Sequence, residues 1–413
     1  MAIPPRAKPL VTRLLTSESF EKLKKQTARA VESLGGRNAT LRFFHDPGCA
    51  RSWLMTQALI DLQSHYDVSI LGHTIAGPDP DIIRNPHQYR RFSWRDAQHQ
   101  AAYHGLLAPE RQPHFGEVEE VSAELFRLEG TSDWLLHARH LGEQLFRGNS
   151  LVGAATDLSP LERNMTLLRQ LGSYRGGTVF THGEWFFGVD RMLLIEELML
   201  DSSEAKRLVT QAPSRDLPPI DGDTLRFFFS FRSPFSFLAL PRVVALATRY
   251  QLKLETYPVL APQDERRATP VRLQLDMLLD ASREARRRRI SFGRVAPLSE
   301  DAHRELACIY YGLADDEERQ QHFLHNAFHA LWVRGLNFNL PHNFERLLAE
   351  SAIRPEEAEA FLQQPEWLEQ AHDNGEELMD WGYLDVPAFE IGTQRYWGYD
   401  RLNYLEEQLA GRS

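Results

Sequence analysis

Two positions place a sulfur or a hydroxyl where a strand hands over to a helix. The stretch "LRFFHDPGCARSWLM", from Leu41, carries Cys49, and "LRFFFSFRSPFSFLAL", from Leu225, carries Ser233. Ser is a favoured helix cap and Pro, here Pro234, a favoured first helical residue, so the aromatic strand stops because a helix starts. The unpaired amides of a helix start, and the positive end of its dipole, stabilise an anion. A thiolate docked beside Ser233 gains from both, and the hydroxyl can donate to its sulfur. A serine that only caps its helix explains the same residues, so both readings stay open. A Cys at a helix start can have a lowered pKa, which makes Cys49 either a reactive thiol or a semi-buried remnant. Pro241, inside the expected second helix, should kink it.

Other residues with chemical potential carry less. His322, His325 and His329 in "HFLHNAFH" share one helix face, opposite Phe323, Leu324, Ala327, Phe328 and Leu331. That is the pattern of a solvent-facing or interfacial side rather than of a metal site. Arg286 to Arg289 in "SREARRRRI" read as a solvated helix face, with an anion-attracting rim as the alternative. His182 and Glu184 in "THGEW" fall on a hairpin turn. The sequence has no Gly-rich phosphate loop, no CxxC and no HExxH.

The elements that must hold Cys49 and Ser233 occur twice. Leu-Arg-Phe-Phe opens both stretches, and alignment on it sets Cys49 on Ser233, Ser52 on Ser236 and Trp53 on Phe237. A second pair follows: "GGTVFTHGEWFFGVDRMLLIEELM" from Gly176 and "DVPAFEIGTQRYWGYDRLNYLEEQL" from Asp385. Each reads as strand, Gly turn, aromatic strand, Gly-X-Asp-Arg and helix. Two markers in the same order predict two copies of one domain, residues 37–200 and 223–413. The polar, proline-bearing residues 201–222 read as a linker. Residues 1–36 read as an N-terminal helical extension packed on the first copy. Each copy runs strand, helix, second strand (Val68 to His73; Lys253 to Val259), a long helical middle, a hairpin and a last helix. That order predicts an α/β fold of two tandem thioredoxin-like domains, each with a helical insertion.

"SFRSPFSFLAL" with "WGYLDVPAFEIGTQRYWGYDRLNYLEEQL" resembles the 2-hydroxychromene-2-carboxylate isomerases and kappa-class glutathione transferases, of the DsbA-like branch of the thioredoxin fold. The resemblance covers most of the second copy, with the first a more divergent relative. It implies glutathione as cofactor, held at the helix start by Ser233 and by a cis-proline loop at Val386-Pro387. It implies that Tyr399 and Asp400 hold the γ-glutamyl end, the acid reaching its amine. The family's lysine in the middle segment has Arg272 as its nearest counterpart, and the Gly-Asn expected before it is missing from "APQDERRATPVR". Arg401 reads as a structural ion-pair partner. In the first copy Thr178 stands where the proline would be, so the Gly177-Thr178 bond is expected to be trans. The implied activity is a glutathione-dependent isomerase or transferase acting on an electrophilic, aromatic or unsaturated small molecule, with the second copy as the working site. Thiol–disulfide chemistry at Cys49 is one alternative, without a resolving cysteine in the same domain. A non-catalytic thioredoxin-fold binding protein is the other.

The composition bounds these readings. The chain has 413 residues, 42% hydrophobic and 25% charged, an ordinary globular balance. A formal net charge of -10 argues against nucleic acid as a partner. No apolar run reaches the ~20 residues of a membrane span, and the first residues lack the pattern of a secretory signal. Cys49 and Cys308 are too few and too far apart for a disulfide framework, so a reducing, cytoplasmic location is expected. The two copies are expected to pack as a pseudo-dimer or the chain to form a homo-oligomer, around a small-molecule substrate.

Overall fold

The computed structural model describes residues 7–23, 26–27, 40–83, 85–148, 157–199, 217, 220–260, 271–383 and 385–411. The chain divides into two compact units: Lys24–Pro219, and Ile220–Arg412 together with Met1–Leu23. The first described helix, α1 (Lys8–Leu15), thus belongs with the C-terminal unit.

The N-terminal unit holds β1 (Thr40–His45), α2 (Ala50–His65), β2 (Ser69–Thr74), α3 (Pro86–His104), α4 (Phe115–Arg127), α5 (Trp134–Arg147), α6 (Glu162–Leu171), β3 (Thr178–Thr181), β4 (Glu184–Phe187) and α7 (Met192–Met199). Its sheet order is β2-β1-β3-β4, with β1 parallel to β2 and the other pairs antiparallel. The parallel pair is joined by α2, the crossover such a pair requires. Trp53 of α2 fills the core, its indole donating to the Arg139 carbonyl at 3.0 Å and stacking on Phe146. A Cβ on Gly142 would come within 2.2 Å of that indole, so only glycine lets α5 approach this closely.

The C-terminal unit holds β5 (Thr224–Phe229), α8 (Pro234–Tyr250), β6 (Lys253–Pro258), α9 (Val271–Arg287), α10 (Glu300–Gly312), α11 (Glu317–His329), α12 (Pro341–Glu350), α13 (Pro355–Leu362), α14 (Pro365–Asp380), β7 (Ala388–Ile391), β8 (Gln394–Trp397) and α15 (Leu402–Ala410). The order β6-β5-β7-β8 repeats that of the other unit, again with one parallel pair. Side chains alternate faces along a strand. Phe227 and Phe229 therefore pack on one face, Phe227 stacking on Phe389. Phe228 points the other way, stacking on Tyr257 and meeting Trp381 edge-on. All three phenylalanines are fully buried because helices cover both faces. Helix α8 runs on through Pro241, whose missing amide leaves the Phe237 carbonyl without its usual donor.

The expected packing of the N-terminal extension is corrected. Residues 7–23 belong with the C-terminal unit, while the other described residues of the extension, 26 and 27, fall in the N-terminal unit. The Thr16 carbonyl accepts from Ser282 Oγ at 3.1 Å and from Arg286 at 2.8 Å, and Arg286 also pairs with Glu21. The Val295 amide donates to Thr12 Oγ1 at 3.1 Å. Gly293 (φ 121°) and Gly335 (φ 70°) make room for Thr16 and Pro9. An amphipathic pattern says that a helix has a buried face, but not which surface it meets. Residues 201–216 of the expected linker lie outside the described residues.

Candidate functional site

In the C-terminal unit, Ser233 caps α8 in extended backbone conformation, φ -95° and ψ 116°. Its Oγ accepts from the Ser236 amide at 3.1 Å and donates to the Val386 carbonyl at 3.2 Å. The Val386-Pro387 peptide is cis, the only cis peptide among the described residues, so Gly177-Thr178 is trans. The helix cap and the X-Pro loop, far apart in sequence, thus meet through one hydroxyl. Pro234 has no N–H, and Ser233 takes the Ser236 and Phe237 amides. Among the described residues this leaves the Phe235 N–H as the remaining donor of the first turn.

The turn before Ser233 is fixed by groups that the sequence did not single out. Ser230 Oγ accepts from the Arg232 amide at 3.3 Å, so its own proton can go to His303 Nε2 at 3.1 Å. Trp332 Nε1 donates to the Phe231 carbonyl at 3.2 Å, from a single π turn (Ala330–Arg334) that extends α11. Arg232 reaches Glu300 at 2.7 Å and the Leu298 carbonyl at 2.9 Å. All these partners come from the helical insertion, about 70 to 100 residues downstream, and no local signal announces them.

The other expected site residues scatter around this centre. The Val386 amide donates to Asp385 Oδ1 at 2.8 Å, so both polar groups of its backbone are engaged internally. Tyr399 is buried in a short 3-10 turn (Tyr399–Arg401) ahead of α15, with its ring 6.3 Å from Phe235 and beneath Arg242 and Arg288. Burial raises its pKa, against the pull of the two guanidiniums. Asp400 follows in the same turn, and Arg401 is buried with its guanidinium over Tyr404. Arg272 falls in the first turn of α9, and its side chain lies outside the described residues.

The N-terminal unit treats the equivalent positions differently. Cys49 caps α2 but is completely buried, with Sγ 3.0 Å from Ser93 Oγ. Ser93 belongs to a stripe along α3 formed by Tyr89, Ser93, Asp96, Gln100 and His104, all buried. Their spacing of three and four residues sets them on one helix face. Asp96 sits 3.6 Å from the Arg51 guanidinium, and the rings of Tyr89, Phe92 and Phe187 surround that guanidinium at 4.9 to 5.2 Å. Gln100 donates to Asp190 at 3.0 Å, and His104 lies 3.4 Å from the same carboxylate. One face of α3 thus fills the space between the start of α2 and the turn before α7. Below it, His45 Nδ1 meets Ser52 Oγ at 2.8 Å, and Ser52 Oγ accepts from the Asp46 amide at 3.1 Å. Burial drives the His45 pKa down to about 3 and raises that of Asp46.

The remaining candidates stay apart from both places. His325 and His329 stack on each other with ring centroids 6.1 Å apart. Among the described residues no group of three His, Cys, Asp or Glu is arranged to hold a metal ion. His182, at φ 50°, and Glu184 flank the β3–β4 turn as expected. No helix among the described residues is long and apolar enough to cross a membrane.

Comparison with known proteins places half of this picture. Residues 224–410 match the family described as DSBA-like thioredoxin domain. A 2-hydroxychromene-2-carboxylate isomerase from Sphingobium xenophagum is 23% identical over 200 residues, which is 45% of this chain and 97% of the relative. Among solved structures, a 2-hydroxychromene-2-carboxylate isomerase aligns with a TM-score of 0.38 at 23% identity, over 45% of this chain and 94% of its own. The cytosolic disulfide reductase DsbM from Pseudomonas aeruginosa aligns with a TM-score of 0.37 at 18% identity, over 45% and 95%. The C-terminal half of this protein is a DsbA-like thioredoxin domain.

Proposed function

We propose that the C-terminal unit is the working site of a glutathione-dependent isomerase or transferase, and that the N-terminal unit is a diverged copy whose own site is closed. The observation that carries this is the Ser233 hydroxyl at the head of α8, hydrogen-bonded to the carbonyl before the cis-proline. The 2-hydroxychromene-2-carboxylate isomerase relative supports the reaction class. Glutathione, when bound there, supplies a thiolate nucleophile toward an electrophilic aromatic or unsaturated substrate. The chain's part is to hold that sulfur as the anion. Phe235 N–H and the Ser233 hydroxyl are the donors available, and the 17-residue helix adds its dipole. Val386, Asp400 and Arg272 are the groups proposed to grip the rest of the tripeptide.

The duplication is supported by details that recur in both units. A serine in the first helical turn, Ser52 or Ser236, accepts from the amide at the end of the first strand, at Asp46 or Ser230. A glycine after the hairpin, Gly188 or Gly398, donates to the carbonyl of Gly177 or Pro387, at 2.9 Å each. A short 3-10 turn carrying Asp-Arg then leads into the last helix.

Complete burial of Cys49 weighs against thiol–disulfide exchange there, since the attacking sulfur must reach a disulfide along its S–S axis. The non-catalytic reading has one observation in its favour. Both polar backbone groups of Val386 are already engaged, so a docking peptide must displace or share them. Calorimetry with glutathione separates the two. One site per chain is expected, abolished by Asp400→Ala and kept in Cys49→Ala. No heat at millimolar glutathione, or two equal sites, overturns the proposal.

A further inference from the structure

Two guanidiniums converge on the flank of α8, away from Ser233. Arg242 Nη2 and Arg288 Nη2 donate to the same oxygen, Asn403 Oδ1, at 2.9 and 3.1 Å. Both guanidiniums also lie over the Tyr399 ring, 5.2 and 5.6 Å from its centre. Arg242 is nine residues beyond Ser233, about 13 Å along the helix axis. Like charges held this close repel, and the proximity of Arg288 together with burial lowers the Arg242 pKa, with burial the larger cause. The carboxylate in ion-pair range of Arg242 among the described residues is Glu406, 3.5 Å away, 43% exposed and shared with Arg249. Asp400 and Glu284 also act on Tyr399. Arg288 has no ion pair among the described residues.

The donors at this point outnumber the acceptors. Tyr399 is 2% exposed; its oxygen can accept from the adjacent Arg242 guanidinium, but its own hydroxyl proton meets no well-formed acceptor among the described residues. Arg242 Nη1 is likewise buried without one. A buried donor with nothing to donate to costs free energy, and two beside a pair of cations mark a place where an acceptor belongs. Arg288 is exposed, so the place opens to solvent on its side. Guanidiniums match the geometry of carboxylate and phosphate oxygens.

We propose that Arg242, Arg288 and Tyr399 form a binding site for an oxyanion, the terminal oxygens of a phosphate or carboxylate group, separate from the glutathione position at Ser233. On this assignment Tyr399 serves the oxyanion and not the tripeptide. The full chain is melted in rising inorganic phosphate and, in parallel, acetate, with ionic strength held constant by chloride. A saturable rise in Tm with phosphate supports a phosphate-bearing ligand, and one with acetate a carboxylate. Arg288→Ala, an exposed change, should weaken the apparent affinity tenfold or more. Tyr399→Phe should weaken it severalfold, yet melt close to the wild type without the anion, because the hydroxyl proton it deletes has no acceptor there. Flat curves with both anions, an equal rise in Arg288→Ala, or a Tyr399→Phe protein that melts well below the wild type each overturn the site. Glutathione affinity should be unchanged at saturating anion. Mole-for-mole displacement would mean one shared site and overturn the separation.

Discussion

The Ser233 hydroxyl has one proton and gives it to the Val386 carbonyl. A thiolate is the stronger acceptor, because a charge-assisted hydrogen bond is roughly twice as strong as a neutral one. Rotation about Cβ–Oγ is enough to redirect it. Ser233→Gly keeps most of the cap and loses the hydroxyl, so the thiol pKa of bound glutathione should rise while stability changes by a few tenths of a kcal/mol. Ser233→Ala should show the same pKa rise and lose about 1 kcal/mol. Ultraviolet titration of the thiolate band reads the first and denaturant melts the second; an unmoved thiol pKa in both leaves Ser233 a cap alone. Cys49 should be silent to a thiol reagent until the chain is unfolded, since none of its surface is exposed. Rapid labelling of Cys49 in the folded protein would reopen the oxidoreductase reading. His45 makes a different prediction. Burial holds its folded pKa at about 3, while the unfolded ring titrates near 6.5. Below pH 6.5 the unfolded state binds a proton that the folded state refuses, so this contribution to stability is lost as pH falls from about 6.5 towards 3, by about 1.4 kcal/mol per unit. Neighbouring Asp46, its pKa raised by burial, acts in the opposite sense at the acid end. The stability gap between wild type and His45→Gln should therefore narrow as pH drops from 7 to 5. A constant gap would show that the ring is not held neutral.

Helix α3 buries polar side chains along one face. Its buried stripe consists of polar side chains, each meeting a group on α2 or on the turn before α7. The Arg51–Asp96 pair lies at the centre of that stripe, almost wholly out of solvent. Removing one partner of a buried pair strands the other, so Asp96→Ala should cost about 3–5 kcal/mol, measured by denaturant unfolding. Asp96→Asn, which keeps a polar partner, should cost less. A loss under 1 kcal/mol for Asp96→Ala would mean that Arg51 finds another partner. None of this stripe was legible in the sequence, where "YRRFSWRDAQHQAAYH" reads as a polar surface helix. Only the three- and four-residue spacing of Tyr89, Ser93, Asp96, Gln100 and His104 could have hinted at it. The strand-to-helix junctions were legible because caps, a first-turn proline and hairpin glycines act over four residues or fewer. The anchors of the Ser233 turn, His303 and Trp332, were not, because they arrive from a distant insertion. Arg288 read only as part of the solvated face, or anion-attracting rim, at Arg286 to Arg289, and no local signal linked it to Arg242.

For the whole molecule, the repeated strand order could be read from two short sequence markers, but the position of the N-terminal arm could not. Residues 8–23 brace α9 and the segment around Gly293 within the C-terminal unit. Deleting residues 1–23 should therefore weaken the C-terminal unit first. Hydrogen exchange should rise at 282–295 and around Gly335 and stay unchanged in the strands of the N-terminal unit. Faster exchange in β1 to β4 instead would contradict that placement. The arm also has a consequence for synthesis. It leaves the ribosome before either sheet, yet the surface it covers is made some 270 residues later. At about 5–20 residues per second the arm waits roughly 15 to 55 seconds for its partner. Through that interval Leu10, Leu14 and Leu23, which stay exposed even after docking, have no folded neighbour of their own, and the N-terminal unit can complete its sheet without them. A ribosome stalled before Gly293 would thus display a finished first unit and an arm whose docking surface has not yet been made.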